Sequence, residues 1–143
     1  MSLKNKDSLL IWFVSKKANL KPITFQEHNW KEKLSSKRAI EYMHSRGYVR
    51  HALSLVWDIE PLDIPLISPP SSPPFLPKEF GHISFSHCID SLLIAWSKSN
   101  LGADIERFDR TFQETSIIDK VFSPEEKKLL KISNNEILRK VFI

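Results

Sequence analysis

Prolines divide this chain before any other signal does. Seven of the nine lie between Pro61 and Pro77, including the pairs Pro69-Pro70 and Pro73-Pro74. Such a stretch lacks backbone donors and cannot be a helix or a central strand. It must be an extended connection over the surface, so regular structure has to form on either side of it. Glycine, in contrast, is scarce: Gly47, Gly81 and Gly102 are the only ones. They are too far apart to build a phosphate-cradling loop, which excludes Walker-type and Rossmann-type nucleotide binding.

Before the connection, Ser8 to Val14 reads as a buried first strand, and Leu20 to Trp30 as irregular. Ser35-Ser36 offers an N-cap for a long helix running to about Trp57. Ile40, Met43, Val49, Leu53 and Val56 supply its apolar stripe, and Lys37, Arg38, Arg46 and Arg50 its basic side. After the connection, Gly81 to His87, Ser91 to Ser97 and Leu101 to Glu106 read as strands. Ile83 and Phe85 alternate with Ser84 and Ser86, as a half-buried strand requires. Ser123-Pro124-Glu125-Glu126 and Ser133-Asn134-Asn135-Glu136 then repeat one helix-start grammar. The last helix stops on Val141-Phe142-Ile143. An amphipathic helix so short is marginal alone. The simplest expectation is a chain cut short relative to the design its sequence follows.

Composition narrows the function classes. Apolar residues are 41% and charged residues 27% of 143, a globular balance. One cysteine, Cys88, excludes a disulfide framework or a multi-cysteine zinc site and fits a reducing cytoplasm. The apolar runs are too short to span a bilayer, so no membrane role is expected. Residues 1–52 carry 11 basic and 4 acidic side chains, whereas 53–143 carry 10 and 13. The basic front half invites an anion. Nucleic acid ranks last among the candidates, because no recognition motif accompanies the charge.

Asp104 and Glu106 stand two apart on the third expected strand, where period-two geometry sends both carboxylates to one face. Mg²⁺ suits such oxygen ligands. On spacing alone, a plain polar strand face accounts for the pair more readily than a metal site. His87 ends a strand one connection away, either as a half-exposed strand-end histidine or as a donor to phosphate. Trp12, Trp30, Trp57 and Trp96 are expected in the core rather than as a stacking platform.

In combination these segments resemble the 4′-phosphopantetheinyl transferase superfamily. Gly102-Ala103-Asp104-Ile105-Glu106 matches its G-x-D-x-E strand, and Phe122-Ser123-Pro124-Glu125-Glu126 its F-S/T-x-x-E element. Ile83-Ser84-Phe85-Ser86-His87 looks like the I-S-x-S-H segment of the longer, two-half subfamily, which activates carrier proteins of lipid, polyketide and peptide synthesis. Arg46-Gly47-Tyr48-Val49-Arg50 is similar to a basic helical segment of that subfamily. The resemblance implies a cytoplasmic enzyme that moves the phosphopantetheine arm of coenzyme A to a serine of an acyl or peptidyl carrier protein. Asp104 and Glu106 would bind Mg²⁺ and His87 would meet the 3′-phosphate. Lys37, Arg38, Arg46 and Arg50 would contact coenzyme A phosphates, with Arg50 best aligned. The implied fold is α+β, with one complete half (1–99) and an incomplete second half (100–143). The family's W-x-x-K-E-A element, with a third carboxylate and a lysine, does not occur before Ile143. The alternative is therefore a truncated, non-catalytic relative that keeps coenzyme A or carrier-protein binding.

Overall fold

The computed structural model describes residues 8–107 and Ser123. It shows a small α+β fold in which a long helix packs on a three-stranded antiparallel sheet. The chain divides into two units, Met1–Ile105 and Glu106–Ile143. The helix starts expected at Ser123 and Ser133 run into residues outside the described ones.

The sheet has the order β1-β3-β2, with β1 Leu9–Ser15, β2 His82–His87 and β3 Ser91–Ser97. Antiparallel register sets Trp12 opposite Ile94 and Phe85 opposite Ile94, so one face carries a continuous apolar row. Central β3 is buried from Leu92 to Ser97, on both faces. The first strand departs from the expectation of a buried one. β1 lies at the edge of the sheet, and Leu9, Ile11 and Phe13 are exposed while Leu10, Trp12 and Val14 pack on the core. An unbroken apolar run hides this alternation, because nothing in it marks which face is covered.

Helix α1 spans Phe25–Lys31, within the segment expected to be irregular. Thr24 and Glu27 form a capping box: Thr24 Oγ1 accepts from the Glu27 N–H at 3.3 Å, and Glu27 Oε2 accepts from the Thr24 N–H at 2.9 Å. Helix α2 spans Ser36–Trp57 and ends at Asp58 in the left-handed conformation, φ 53°. Ser35 takes the N-cap position without a side-chain cap bond. Val49, Ala52 and Leu53 of α2 meet Ile83, Leu92, Ile94 and Trp96 of the sheet and Ile64, Leu66 and Leu76 of the proline-rich connection. Ile40, expected in the apolar stripe, is exposed, whereas Tyr42, His44, Ser45 and Arg50 are buried. α2 thus buries polar side chains because three separate segments close on it: the β1–α1 loop, α1 and the connection.

Gly47 marks one of these closures. A Cβ there would lie 2.5 Å from the Lys21 carbonyl oxygen, so only glycine lets the loop approach. His44 Nε2 donates to the Ser15 carbonyl at 3.2 Å and the Tyr48 hydroxyl to the Asn19 carbonyl at 2.9 Å, fixing the same loop. The connection folds back on itself by a bridge between Ile67 and Phe75, with Ser71 at its tip in the left-handed region, φ 61°. Trp96 is fully buried, donates to the Phe80 carbonyl at 2.7 Å, and stands edge-on to Trp57.

The strand expected over Leu101 to Glu106 does not form. Residues 101–107 have no regular structure. The Ala103 N–H donates to Ser84 Oγ at 3.0 Å rather than to a strand carbonyl. A serine side chain thus takes the donor that a backbone ladder would need. Among the described residues, no helix is long and apolar enough to cross a membrane.

Candidate functional site

The N-terminal half of α2, the end of β2 and the tip of the connection line an open cavity of about 260 Å³. Helical spacing puts Arg38, Glu41, Tyr42, Ser45 and Arg46 on its wall; β2 contributes His87 and the tip Pro70 and Ser71. His87 faces α2 because it alternates with Ser86 on β2 and shares the core face with Ile83 and Phe85.

Arg46 is the most firmly built of these. Its guanidinium lies 4.2 Å from the Tyr42 ring centre and 4.9 Å from that of Phe85. Nε donates to the Ser68 carbonyl at 3.2 Å and an Nη to Ser45 Oγ at 3.0 Å. Burial works against its charge and lowers its pKa, with Tyr42 and Glu27 opposing. The Tyr42 hydroxyl donates to the same Ser68 carbonyl at 2.9 Å, and burial pushes its pKa up to about 12. Arg46 therefore both lines the cavity and pins the connection. His87 titrates below the ordinary range for histidine, first because it is partly buried and next because Lys16 stands near.

The remaining sequence candidates fall elsewhere. Lys37 is exposed and does not line the cavity, whereas Arg38 is exposed and does. Arg50 requires a correction. It is 2% exposed, and its guanidinium is committed inside the protein. Nε meets Glu27 Oε2 at 2.9 Å, and its two Nη atoms donate to the Ile64 and Leu66 carbonyls at 2.7 and 3.0 Å. It is a strut joining α1, α2 and the connection, not a side chain facing a ligand. Sequence position puts Arg50 four residues after Arg46 on one helical face, but says nothing of the Glu27 carboxylate that comes to meet it.

Asp104 is exposed, and its Oδ1 accepts from Ser86 Oγ and from the Ile105 N–H at 2.9 Å. Ser86 belongs to the sheet face opposite His87, so Asp104 is tied to a different side of β2 from the cavity wall. Asp104 and His87 therefore lie on opposite faces of β2, for the period-two reason. Glu106 is exposed, and Ala103 and Ile105 are half-buried. Among the described residues, no group of three or more His, Cys, Asp or Glu side chains is placed to hold a metal ion together.

Sequence reasoning passed over two participants. Glu41 lines the cavity, with Oε2 at 3.7 Å from His87 Nε2 and Oε1 at 3.4 Å from Lys16 Nζ. Its signal was available: it lies three residues after Arg38 and five before Arg46. Lys16 follows β1 directly and carries no local sign of its role. Cys88 is half-buried, and its thiol donates to Asp90 Oδ1 at 3.1 Å.

No protein-family model matches this chain, and no curated protein matches it.

Proposed function

We propose that this chain binds coenzyme A through its phosphates and belongs to a 4′-phosphopantetheinyl transferase-like fold that modifies a carrier-protein serine. The observation that carries the reading is the gathering of Arg38, Arg46 and His87 around one cavity by elements far apart in sequence. Two guanidinium groups and an imidazole are phosphate-binding chemistry. The motif match over residues 83–87 and 102–106 names the ligand class.

In this reading Arg38 and Arg46 hold phosphate oxygens, and Arg46 is preoriented by Tyr42 and Phe85. His87 donates to a terminal phosphate. Asp104 and Glu106 are the residues that would hold Mg²⁺; both are exposed carboxylates, and oxygen ligands suit that ion. Asp104 is tied to the side of β2 away from the cavity wall, so such an ion would not sit among Arg38, Arg46 and His87. The serine oxygen forms a bond to the β-phosphorus, the bond to the bridging oxygen breaks, and adenosine 3′,5′-bisphosphate leaves as the serine proton is lost. Positioning and charge stabilisation supply most of the catalysis in such transfers.

Two measurements test this. Calorimetry with coenzyme A and dephospho-coenzyme A should show His87→Ala weakening the first more than the second; equal losses remove His87 from the 3′-phosphate. Incubation with coenzyme A, Mg²⁺ and an apo carrier protein reads transfer as added phosphopantetheine mass on the carrier; little or no shift is expected from residues 1–143, which lack the W-x-x-K-E-A element, and a full shift would show that they suffice. Coenzyme A binding without a mass shift would support the non-catalytic alternative. Absence of binding would overturn the reading.

A further inference from the structure

We propose that Glu41 is a positioning residue of this cavity, bridging Lys16 and His87 so that the imidazole is held at the wall and can take up a proton when a phosphate group binds. The proposal rests on reading the cavity as a phosphate site, and it adds a residue that the resemblance does not name.

A carboxylate among Arg38, Arg46 and His87 is out of place in an anion site unless it serves a neighbour. Glu41 serves two. Its Oε1 lies 3.4 Å from Lys16 Nζ, and its Oε2 lies 3.7 Å from His87 Nε2. Lys16 follows β1, His87 closes β2, and Glu41 projects from α2 between them. The carboxylate is thus the point where both strand ends are tied to the helix. Its side chain is 29% exposed, so these interactions are only partly screened by water.

The groups around His87 divide by sign. Lys16 from the end of β1, and Arg46 and His44 from α2, oppose its protonation; Glu41, also from α2, favours it. Arg38 stands on the same cavity wall and adds positive charge. A neutral imidazole has one N–H to offer, whereas the imidazolium has two and a charge. An arriving phosphate favours the imidazolium. Removal of Glu41 leaves His87 facing cations alone, and the proton becomes harder to acquire. The carboxylate also repels a bound phosphate directly, but this effect persists at every pH, whereas the effect through His87 appears only where histidine titrates. The pH profile separates the two.

The test follows the His87 Cε1–H resonance in the full chain by NMR, without ligand, over roughly pH 5 to 8. Glu41→Gln should move the His87 titration to lower pH, Glu41→Asp should restore part of it, and Lys16→Met should move it the opposite way. The opposite directions distinguish electrostatic positioning from general damage to the fold. Calorimetry with inorganic phosphate should then show Glu41→Gln weakening binding about two- to fivefold within the pH range where His87 titrates, relative to pH well above or below it, the size of a partly exposed ion pair. An unmoved His87 titration with phosphate binding intact would overturn the role of Glu41 alone. Tighter phosphate binding by Glu41→Gln at every pH would do the same. Failure of the wild-type chain to bind phosphate would overturn the anion site, and this proposal with it.

Discussion

Replacement of Arg50 by methionine tests whether this residue is a strut or a ligand contact. The substitution keeps a long apolar stem and removes the guanidinium. In the structure, that group is 3% exposed and faces a Glu27 carboxylate that is 1% exposed. Without it, Glu27 keeps only the Thr24 N–H and hydroxyl at 2.9 and 3.0 Å. The Ile64 and Leu66 carbonyls lose the donors that hold the proline-rich connection against α2. Breaking a buried pair by removing one partner costs about 3–5 kcal/mol. That is a large share of the roughly 5–15 kcal/mol that stabilises an ordinary domain. Glu27→Gln keeps an acceptor for the cap and removes the charge. The double variant should therefore be less destabilised than the sum of the two single variants, by a coupling of about 1–3 kcal/mol. Urea unfolding followed by tryptophan fluorescence reads this directly, because Trp96 is fully buried in the core. A loss below about 1 kcal/mol for Arg50→Met, or strict additivity in the cycle, would refute the strut. So would a normally stable Arg50→Met chain that has lost coenzyme A binding.

Gly47→Ala should destabilise the chain, although alanine is favoured over glycine in a helix by about 1 kcal/mol. The added Cβ would sit 2.5 Å from the Lys21 carbonyl oxygen and 2.9 Å from its Cβ, and forced repacking of that kind costs about 1–3 kcal/mol. A thermal melt showing a gain would refute the close approach. Stability should also fall in mild acid. His44 and His87 both titrate below the ordinary 6.5 for histidine, chiefly because burial disfavours their charged forms. The unfolded chain then binds protons more readily than the folded one. Stability is full above about pH 6.5 and declines as pH falls below it. His44 is 4% exposed and its Nδ1 has no hydrogen-bond partner among the described residues, so protonation would place a charge where none of them receives it. His44→Gln should flatten the slope measured by urea unfolding at stepped pH; an unchanged slope would refute the assignment.

Local signals place α2, β2 and the proline-rich connection. The cap position at Ser35 and the helical run to Trp57 locate α2. Alternation of Ile83 and Phe85 with serines locates β2 and puts His87 on the core face. Proline density alone marks the connection. The capping box Thr24-Phe25-Gln26-Glu27 was equally local and would have revealed α1. Placement of the charged residues was not local. Arg46 and Arg50 have the same chemistry and share one helical face, yet one lines a cavity and the other is sealed inside. The difference is Glu27, which α1 brings to Arg50 from another part of the chain. β1 is an edge strand because β3 pairs with it on one side and β2 takes the other side of β3. No residue of β1 encodes that arrangement. Asp104 and His87 separate because successive side chains of β2 point to opposite faces, and Ser86 holds the carboxylate on its own side. Periodicity within an element is a property of the chain. Which face meets which partner depends on contacts between distant segments, and burying a charge is tolerable only where those contacts supply its counter-charge.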